Sequence, residues 1–209
     1  MHRVFRWLAG AAVALSLVTA QAATPGKDYE ELIPPQPTST AGKIEVIEFF
    51  SFACPHCNAF EPALEAWVAK LPADVVFKRV PVSFNRPEWQ SLARLNYALE
   101  NMGVIDRTRA KVFHAIHEEH VPLFTTDASA DWAAAQGLDR AKFLSYFNGF
   151  SMQSQLQRSD TQVRDFRISG VPSIAVNGRY VTSPATAGGF TAALAVVDEL
   201  IERSRPARK

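Results

Sequence analysis

The sequence predicts an α/β protein in which a β/α sheet domain is split by an all-helical insert. Three observations lead there: a strand–helix–strand pattern over residues 44–82, helical periodicity from Pro87 to about Phe166, and renewed strand character from Ser173 ahead of a last helix. Ile44 to Phe50 is apolar on both alternating faces, the pattern of a strand covered on both sides. From Pro55 to Leu71, the residues Cys57, Phe60, Leu64, Trp67, Val68 and Leu71 form a helical stripe, with Glu61, Glu65 and Lys70 off it. Pro62 falls inside that helix and predicts a kink, because it lacks a backbone donor. Val75 to Val82 is a second β-branched run, which completes a βαβ unit. In the middle stretch Gly103, Pro122, Gly137 and Gly149 punctuate the helices, and Asp106, Asp127 and Asp139 are expected N-caps. Trp89, Leu92, Asn96 and Leu99 mark one packing face there, and Phe143, Tyr146 and Phe147 another. After Ser173 to Val176, Asn177-Gly178 is a strong hairpin signal with Arg179 to Val181 as the return strand. Phe190, Leu194, Val197, Leu200 and Ile201 outline the final amphipathic helix.

The start of the chain carries an address. His2, Arg3 and Arg6 are followed by the apolar stretch Trp7 to Val18 and by Ala20-Gln21-Ala22, which fits a small-x-small cleavage rule. Residues 1–22 therefore read as a cleaved signal peptide, and the mature chain is expected to begin near Ala23. The apolar stretch is short for a membrane span. Export places the protein in a bacterial periplasm, where disulfides persist. The remaining 187 residues suffice for one core or for a domain with an insertion. Without Arg3 and Arg6 they carry 20 Lys and Arg against 21 Asp and Glu, a balance with no basic excess to attract nucleic acid. Pro34-Pro35-Gln36-Pro37 reads as an extended lead-in, and the basic tail Arg203, Arg205, Arg208 and Lys209 as an end that frays in solvent.

The chemistry is concentrated in Cys54-Pro55-His56-Cys57, which holds the only two cysteines. A bridge between them closes so short a loop that the chain-entropy model assigns it only about 2 kcal/mol. A structural staple in an exported protein spans more chain and usually has companions, so this pair reads as one that opens and closes. Cys54 falls where a strand ends and a helix begins, so free N–H groups and the helix dipole favour its thiolate. Pro55 suits the first helical position. His56 adds a ring N–H or a positive charge near the sulfur. A stabilised thiolate favours the dithiol, so the bridge is readily given away. Cys57, one turn along on the apolar stripe, is expected to be less exposed and to act as the resolving thiol.

Glu48-Phe49-Phe50-Ser51-Phe52-Ala53-Cys54-Pro55-His56-Cys57, together with Gly170-Val171-Pro172-Ser173 and with Pro62, resembles the DsbA family of thiol:disulfide oxidoreductases over the whole mature chain. The resemblance implies a thioredoxin fold interrupted by an inserted all-helical domain, with residues 23–85 and 162–209 in the thioredoxin-like part and 86–161 in the insert. It further implies a monomeric periplasmic donor of disulfides to newly exported proteins, without a cofactor, reoxidised by a DsbB-like quinone-linked membrane oxidase. It implies that the Val171–Pro172 bond is cis and that the Val171 backbone pairs with an extended substrate segment, whereas a lone X-Pro is ordinarily trans. The family has a buried acid at the position of Glu48. From its place in a strand apolar on both faces, Glu48 is expected to be buried with a raised pKa and to exchange a proton with the Cys57 thiol. A surface acid at a strand end is the plain alternative. Glu61 and either Lys78 or Arg79 are expected to join it, the choice depending on a register the sequence does not show.

Rival chemistries have less support. A zinc site needs four ligands, and His114, His117 and His120 read as a solvated helix face, so no metal is expected. A chaperone-like holdase would use Phe52, Phe84 and Val171 as an apolar groove. An isomerase of the known periplasmic type needs a dimerisation segment for which residues 23–42 are too few, and thioredoxin-type reductases prefer residues other than Pro55-His56.

Overall fold

A computed structural model describes residues 22–206. The expected signal peptide lies outside them except for Ala22, as do Arg208 and Lys209 of the basic tail. In chain order the elements are β1 (Glu30–Glu31), β2 (Ile44–Phe50), α1 (Pro55–Val68), β3 (Val75–Pro81), α2 (Pro87–Asn101), α3 (Ile105–His117) and α4 (Thr126–Ala135). They continue with α5 (Arg140–Phe147), α6 (Phe150–Asp165), β4 (Ser173–Val176), β5 (Tyr180–Thr182), α7 (Pro184–Ala187) and α8 (Phe190–Ser204).

All seven residues of β2 are buried, as its two-sided apolarity requires. The strand lies between β3, its parallel partner, and β4, its antiparallel one, in a sheet ordered β1-β5-β4-β2-β3. One face of the sheet packs Val46, Ile174 and Val176 against Phe60 and Leu64 of α1 and Val197 and Leu200 of α8. Trp67 Nε1 donates to Asp198 Oδ1 at 2.8 Å and ties those two helices together. On the opposite face Ile47, Phe49 and Ala175 meet Phe166 and Ile168, where the chain returns from the helices. Helices α2 to α6 form the insert. Its core is continuous with Phe50, Phe52, Cys54 and Cys57 at the end of β2 and the start of α1.

The Asn177-Gly178 hairpin forms with both residues at positive φ, 50° and 68°. A Cβ on Gly178 would sit 2.0 Å from the Gln36 carbonyl oxygen, so the turn needs glycine for room as well as for its backbone. That carbonyl belongs to the proline-rich lead-in, which Gln36 N anchors by donating to Gly178 O at 2.7 Å.

Several local expectations are corrected. Asp106 and Asp127 lie in the first turns of α3 and α4, whose N-caps are Val104 and Thr125; Asp139 does cap α5, accepting from Lys142 N at 2.9 Å. Thr125 supplies the oxygen for α4, so Asp127 is left to face the helix dipole. The β1 edge strand escaped detection because two residues carry no period, and α7 because it is a single turn. Arg203 and Arg205 do not fray. Arg203 donates to Tyr29 Oη at 2.6 Å and to the Ala23 carbonyl at 3.0 Å, and Arg205 pairs with Asp74 at 2.8 Å. Ala23 N in turn donates to Glu199 Oε2 at 2.7 Å, so the expected start of the mature chain is pinned to α8.

Phe60 is fully buried and stacks on Phe190 at 5.1 Å, joining α1 to α8 beneath the sheet. Phe60→Ala is expected to destabilise the fold by about 3–5 kcal/mol. Urea unfolding reads this as a lower midpoint at unchanged slope; a loss under about 1 kcal/mol would contradict that packing.

Candidate active site

Strand β2 hands the chain through Ser51, Phe52 and Ala53 to the start of α1. Cys54 is the N-cap residue there, extended at φ −89° and ψ 117°, with Pro55 at the first helical position. An N-cap side chain ordinarily offers an oxygen to the free N–H groups of the first turn. Here the cap carries a sulfur in place of that oxygen, with no capping hydrogen bond of ordinary geometry. The Cys54 pKa is lowered from 9.0 to about 6, first by a hydrogen bond from the Cys57 thiol. Burial opposes that change, while the backbone N–H groups of Cys57 and His56 and the charge of His56 reinforce it. Both cysteines join the insert core, and Cys57 is 1% exposed against 6% for Cys54. Burial, then the hydrogen bond and charge of Cys54, push the Cys57 thiol well above the ordinary range. Both cysteines are free thiols in this structure. One sulfur is therefore ready to ionise and its neighbour holds its proton.

The Val171–Pro172 bond is cis, and the Val171 carbonyl oxygen lies 3.4 Å from Cys54 Sγ, close enough to accept from its thiol. Ser173 Oγ donates to Gly170 O at 2.7 Å and closes the turn that presents this carbonyl. A cleft of about 530 Å³ opens beside it, running from His56 past Gly170 and Pro172 towards Ser183 and Phe190.

Beneath the cysteines lies a charged cluster. Parallel register sets Glu48 opposite Arg79, and Arg79 Nε donates to Glu48 Oε2 at 2.9 Å. The same guanidinium reaches Glu65 Oε1 at 2.5 Å and Glu61 Oε1 at 3.5 Å, both on α1. Glu48 is 1% exposed, and burial raises its pKa against the pull of Arg79 and Arg109. Burial likewise lifts Glu61 to about 8. Arg79 is thus the cation the sequence left open. Lys78 points to the opposite face of the sheet, where it meets Glu45 at 2.5 Å and Thr40 at 2.9 Å.

Residues 45–192 match the family described as DSBA-like thioredoxin domain. The thiol:disulfide interchange protein DsbA of Bordetella parapertussis is 47% identical over 203 residues, covering 96% of each chain. That of Pseudomonas aeruginosa is 43% identical over 186 residues, covering 89% of this chain and 88% of its own. The crystal structure of Pseudomonas aeruginosa DsbA superposes with a TM-score of 0.84, at 42% identity, over 88% of this chain and 95% of that one. This chain belongs to the DsbA family. It is a protein-disulfide oxidoreductase with a thioredoxin-like fold and a helical insertion.

Several residues around the paired cysteines at the head of α1 were not legible in the sequence. Arg109 of α3, 6% exposed, brings a second cation to Glu61, at 3.7 Å between Nε and Oε1. Nothing near it in the sequence distinguishes it from the solvated Arg107. His117 is not part of a solvated face: its Nε2 lies 2.8 Å from the Phe52 carbonyl oxygen, on the turn that leads to Cys54. His114 pairs with Glu119, and His120 lies beyond the end of α3. Phe52 lines no groove. It is buried edge-on against Phe50 and Phe113, at 5.1 and 4.9 Å, while Phe84 packs on Trp89 at 5.9 Å.

The lowered Cys54 pKa has a thermodynamic consequence. Below about 6 the thiol is protonated whether the protein is folded or not, and the group contributes nothing. Between about 6 and 9.0 it is ionised only when folded, so the reduced form gains up to about 1.4 kcal/mol per pH unit. The melting temperature of the reduced protein relative to the bridged one is expected to rise from pH 5 to pH 8, by calorimetry in roughly unit steps. Cys54→Ser, which has no bridged form, is expected to melt without this pH-dependent gain over the bridged wild type.

Proposed function

We propose that this protein donates its Cys54–Cys57 disulfide to exported proteins as they fold, through a mixed-disulfide intermediate. The observation that carries this reading is the placement of the two sulfurs, Cys54 at the cap of α1 beside the Val171 carbonyl and Cys57 more deeply buried. That placement favours the anion at the first and the thiol at the second. A client thiolate attacks Cys54 Sγ of the bridged form, the Cys54–Cys57 bond breaks, and Cys57 leaves with the pair of electrons. Glu48 supplies the proton that Cys57 then retains. A second client thiolate attacks the client sulfur joined to Cys54, forming the client disulfide and releasing Cys54 as its stabilised thiolate. Two electrons pass from client to enzyme. They leave again when a DsbB-like quinone-linked membrane oxidase restores the bridge.

Each site residue has a part in that cycle. Pro55 starts α1 without an N–H of its own, and His56 adds positive charge beside Cys54. The Val171 backbone, turned out beside Cys54 by Pro172, pairs with an extended client segment and so accepts many sequences. The leader residues 1–22 are removed on export, and the mature protein works in the periplasm as a monomer. Among the described residues no helix is long and apolar enough to cross a membrane.

Equilibration with glutathione buffers is expected to give an oxidising midpoint, and the reduced form is expected to outlast the bridged one on heating. A strongly reducing midpoint would sink the donor assignment. His56→Leu is expected to raise the Cys54 titration, read by thiolate absorbance, and to shift the potential by about 30 mV for each pH unit moved. Cys54→Ser is expected to lose disulfide donation altogether; retained suppression of client aggregation would point to a holdase instead.

A further inference from the structure

The charged cluster beneath the cysteines is assembled from both parts of the molecule. Two buried carboxyl groups, Glu48 and Glu61, meet Arg79 from the sheet and Arg109 from the insert, with Glu65 at the rim. Arg79 is already spread over three acids. The Glu61 Oε1 atom is shared, 3.5 Å from Arg79 and 3.7 Å from Arg109. Arg109 also lies over the Phe50 ring at 5.5 Å, and Phe50 belongs to the same buried group as Cys54 and Cys57.

Arg109 is poorly explained as a structural clamp. Arginine earns burial through a fork of several donors, yet the buried Arg109 Nη1 has no partner. It lines a polar cleft of about 460 Å³ between sheet and insert, where Glu100 of α2 and Asp106 of α3 are the facing acids and Lys78, Arg79 and Arg158 the other cations. His114, on its own helix, is engaged with Glu119. A buried cation with a single long ion pair acts mainly through its charge.

We propose that Arg109 is a positioning residue for the redox step: by taking a share of Glu61 it frees Arg79 for Glu48, and so keeps Glu48 able to accept the Cys57 proton when the bridge closes. The inference rests on the assignment of Glu48 as the proton partner of Cys57. Closing begins from the mixed disulfide on Cys54. The Cys57 proton passes to Glu48, the Cys57 thiolate attacks Cys54 Sγ, and the bound thiol departs as thiolate with the electrons of the broken bond. Without Arg109, two buried acids and Glu65 must share one arginine. The cluster then holds a proton to higher pH, and the base is withdrawn from Cys57. In this way the insert contributes a charge to a reaction centre built by the sheet domain.

Stopped-flow mixing of the reduced full-length mature protein with oxidised glutathione separates mixed-disulfide formation by Cys54 from bridge closing by Cys57. In Arg109→Met the acid limb of the closing rate is expected to move up by about one pH unit, with closing several-fold slower at pH 7 and mixed-disulfide formation less affected. Arg109→Lys is expected to recover most of the profile. In a Glu61→Gln background, Arg109→Met is expected to add a smaller displacement than in the wild type, only that left by its direct pull on Glu48. An unmoved acid limb, an equal slowing of both steps, or full additivity with Glu61→Gln would each overturn the proposal. If Arg109→Met does not fold, Arg109→Gln, which also removes the charge, takes its place: a limb displaced as far with Glu61→Gln as without overturns the proposal. Glu48→Gln separates the two levels. Slower closing there with none in Arg109→Met removes Arg109 alone, whereas unchanged closing in Glu48→Gln removes the proton-partner assignment and this inference with it.

Discussion

A sulfur anion set at the head of a helix is the interaction on which the rest of this structure depends. Nothing in a short Cys-x-x-Cys segment alone would hold a charge there. The anion survives because Cys54 occupies the cap of α1, where first-turn N–H groups have no carbonyl partners and the Cys57 thiol is within hydrogen-bonding reach. That placement demands a strand that ends at residue 50 and a helix that starts at residue 55, fixed relative to one another. The buried β2 strand and the α1–α8 packing under it supply that rigidity. Stability of the core and reactivity of the sulfur are consequently one problem.

The same geometry makes the two cysteines unequal. Both belong to the same buried group, yet Cys54 stands at the helix cap beside the Val171 carbonyl, and Cys57 is the less exposed. Burial raises the pKa of both thiols, but at Cys54 hydrogen bonds and a nearby positive charge outweigh it, and these sort the pair into an anion and a proton holder. A buried acid close to the proton holder is costly to ionise, and cations reduce that cost without removing it. The cluster around Arg79 therefore leaves Glu48 and Glu61 with raised pKa values rather than as simple salt bridges.

Much of the fold was visible beforehand because burial imposes a period. The two-sided apolarity of Ile44 to Phe50, the stripe through Phe60 and Leu64, and the Asn177-Gly178 turn each report a local constraint with a single structural solution. Elements too short to show a period were missed: β1 and α7 exist because Glu30 and Glu31 find Tyr180 and Val181, and because Ser183 offers an oxygen to Thr186 N. Charged residues misled for a related reason. Arg203 and Arg205 look like solvated tail residues until α8 is docked and brings them to Tyr29 and Asp74.

By itself the sequence determined that a dithiol stands at a strand–helix junction, that Cys57 belongs to an apolar stripe, and that Glu48 lies in a strand apolar on both alternating faces. Those properties follow from neighbours along the chain. Only the tertiary structure decided that Glu48 meets Arg79 and not Lys78, that Arg109 reaches Glu61 from the insert, and that the Val171 carbonyl stands beside Cys54. Side-chain periods place a residue on a face; strand register and the docking of α3 against α1 then choose its partner, and both are settled by packing between segments far apart in the chain.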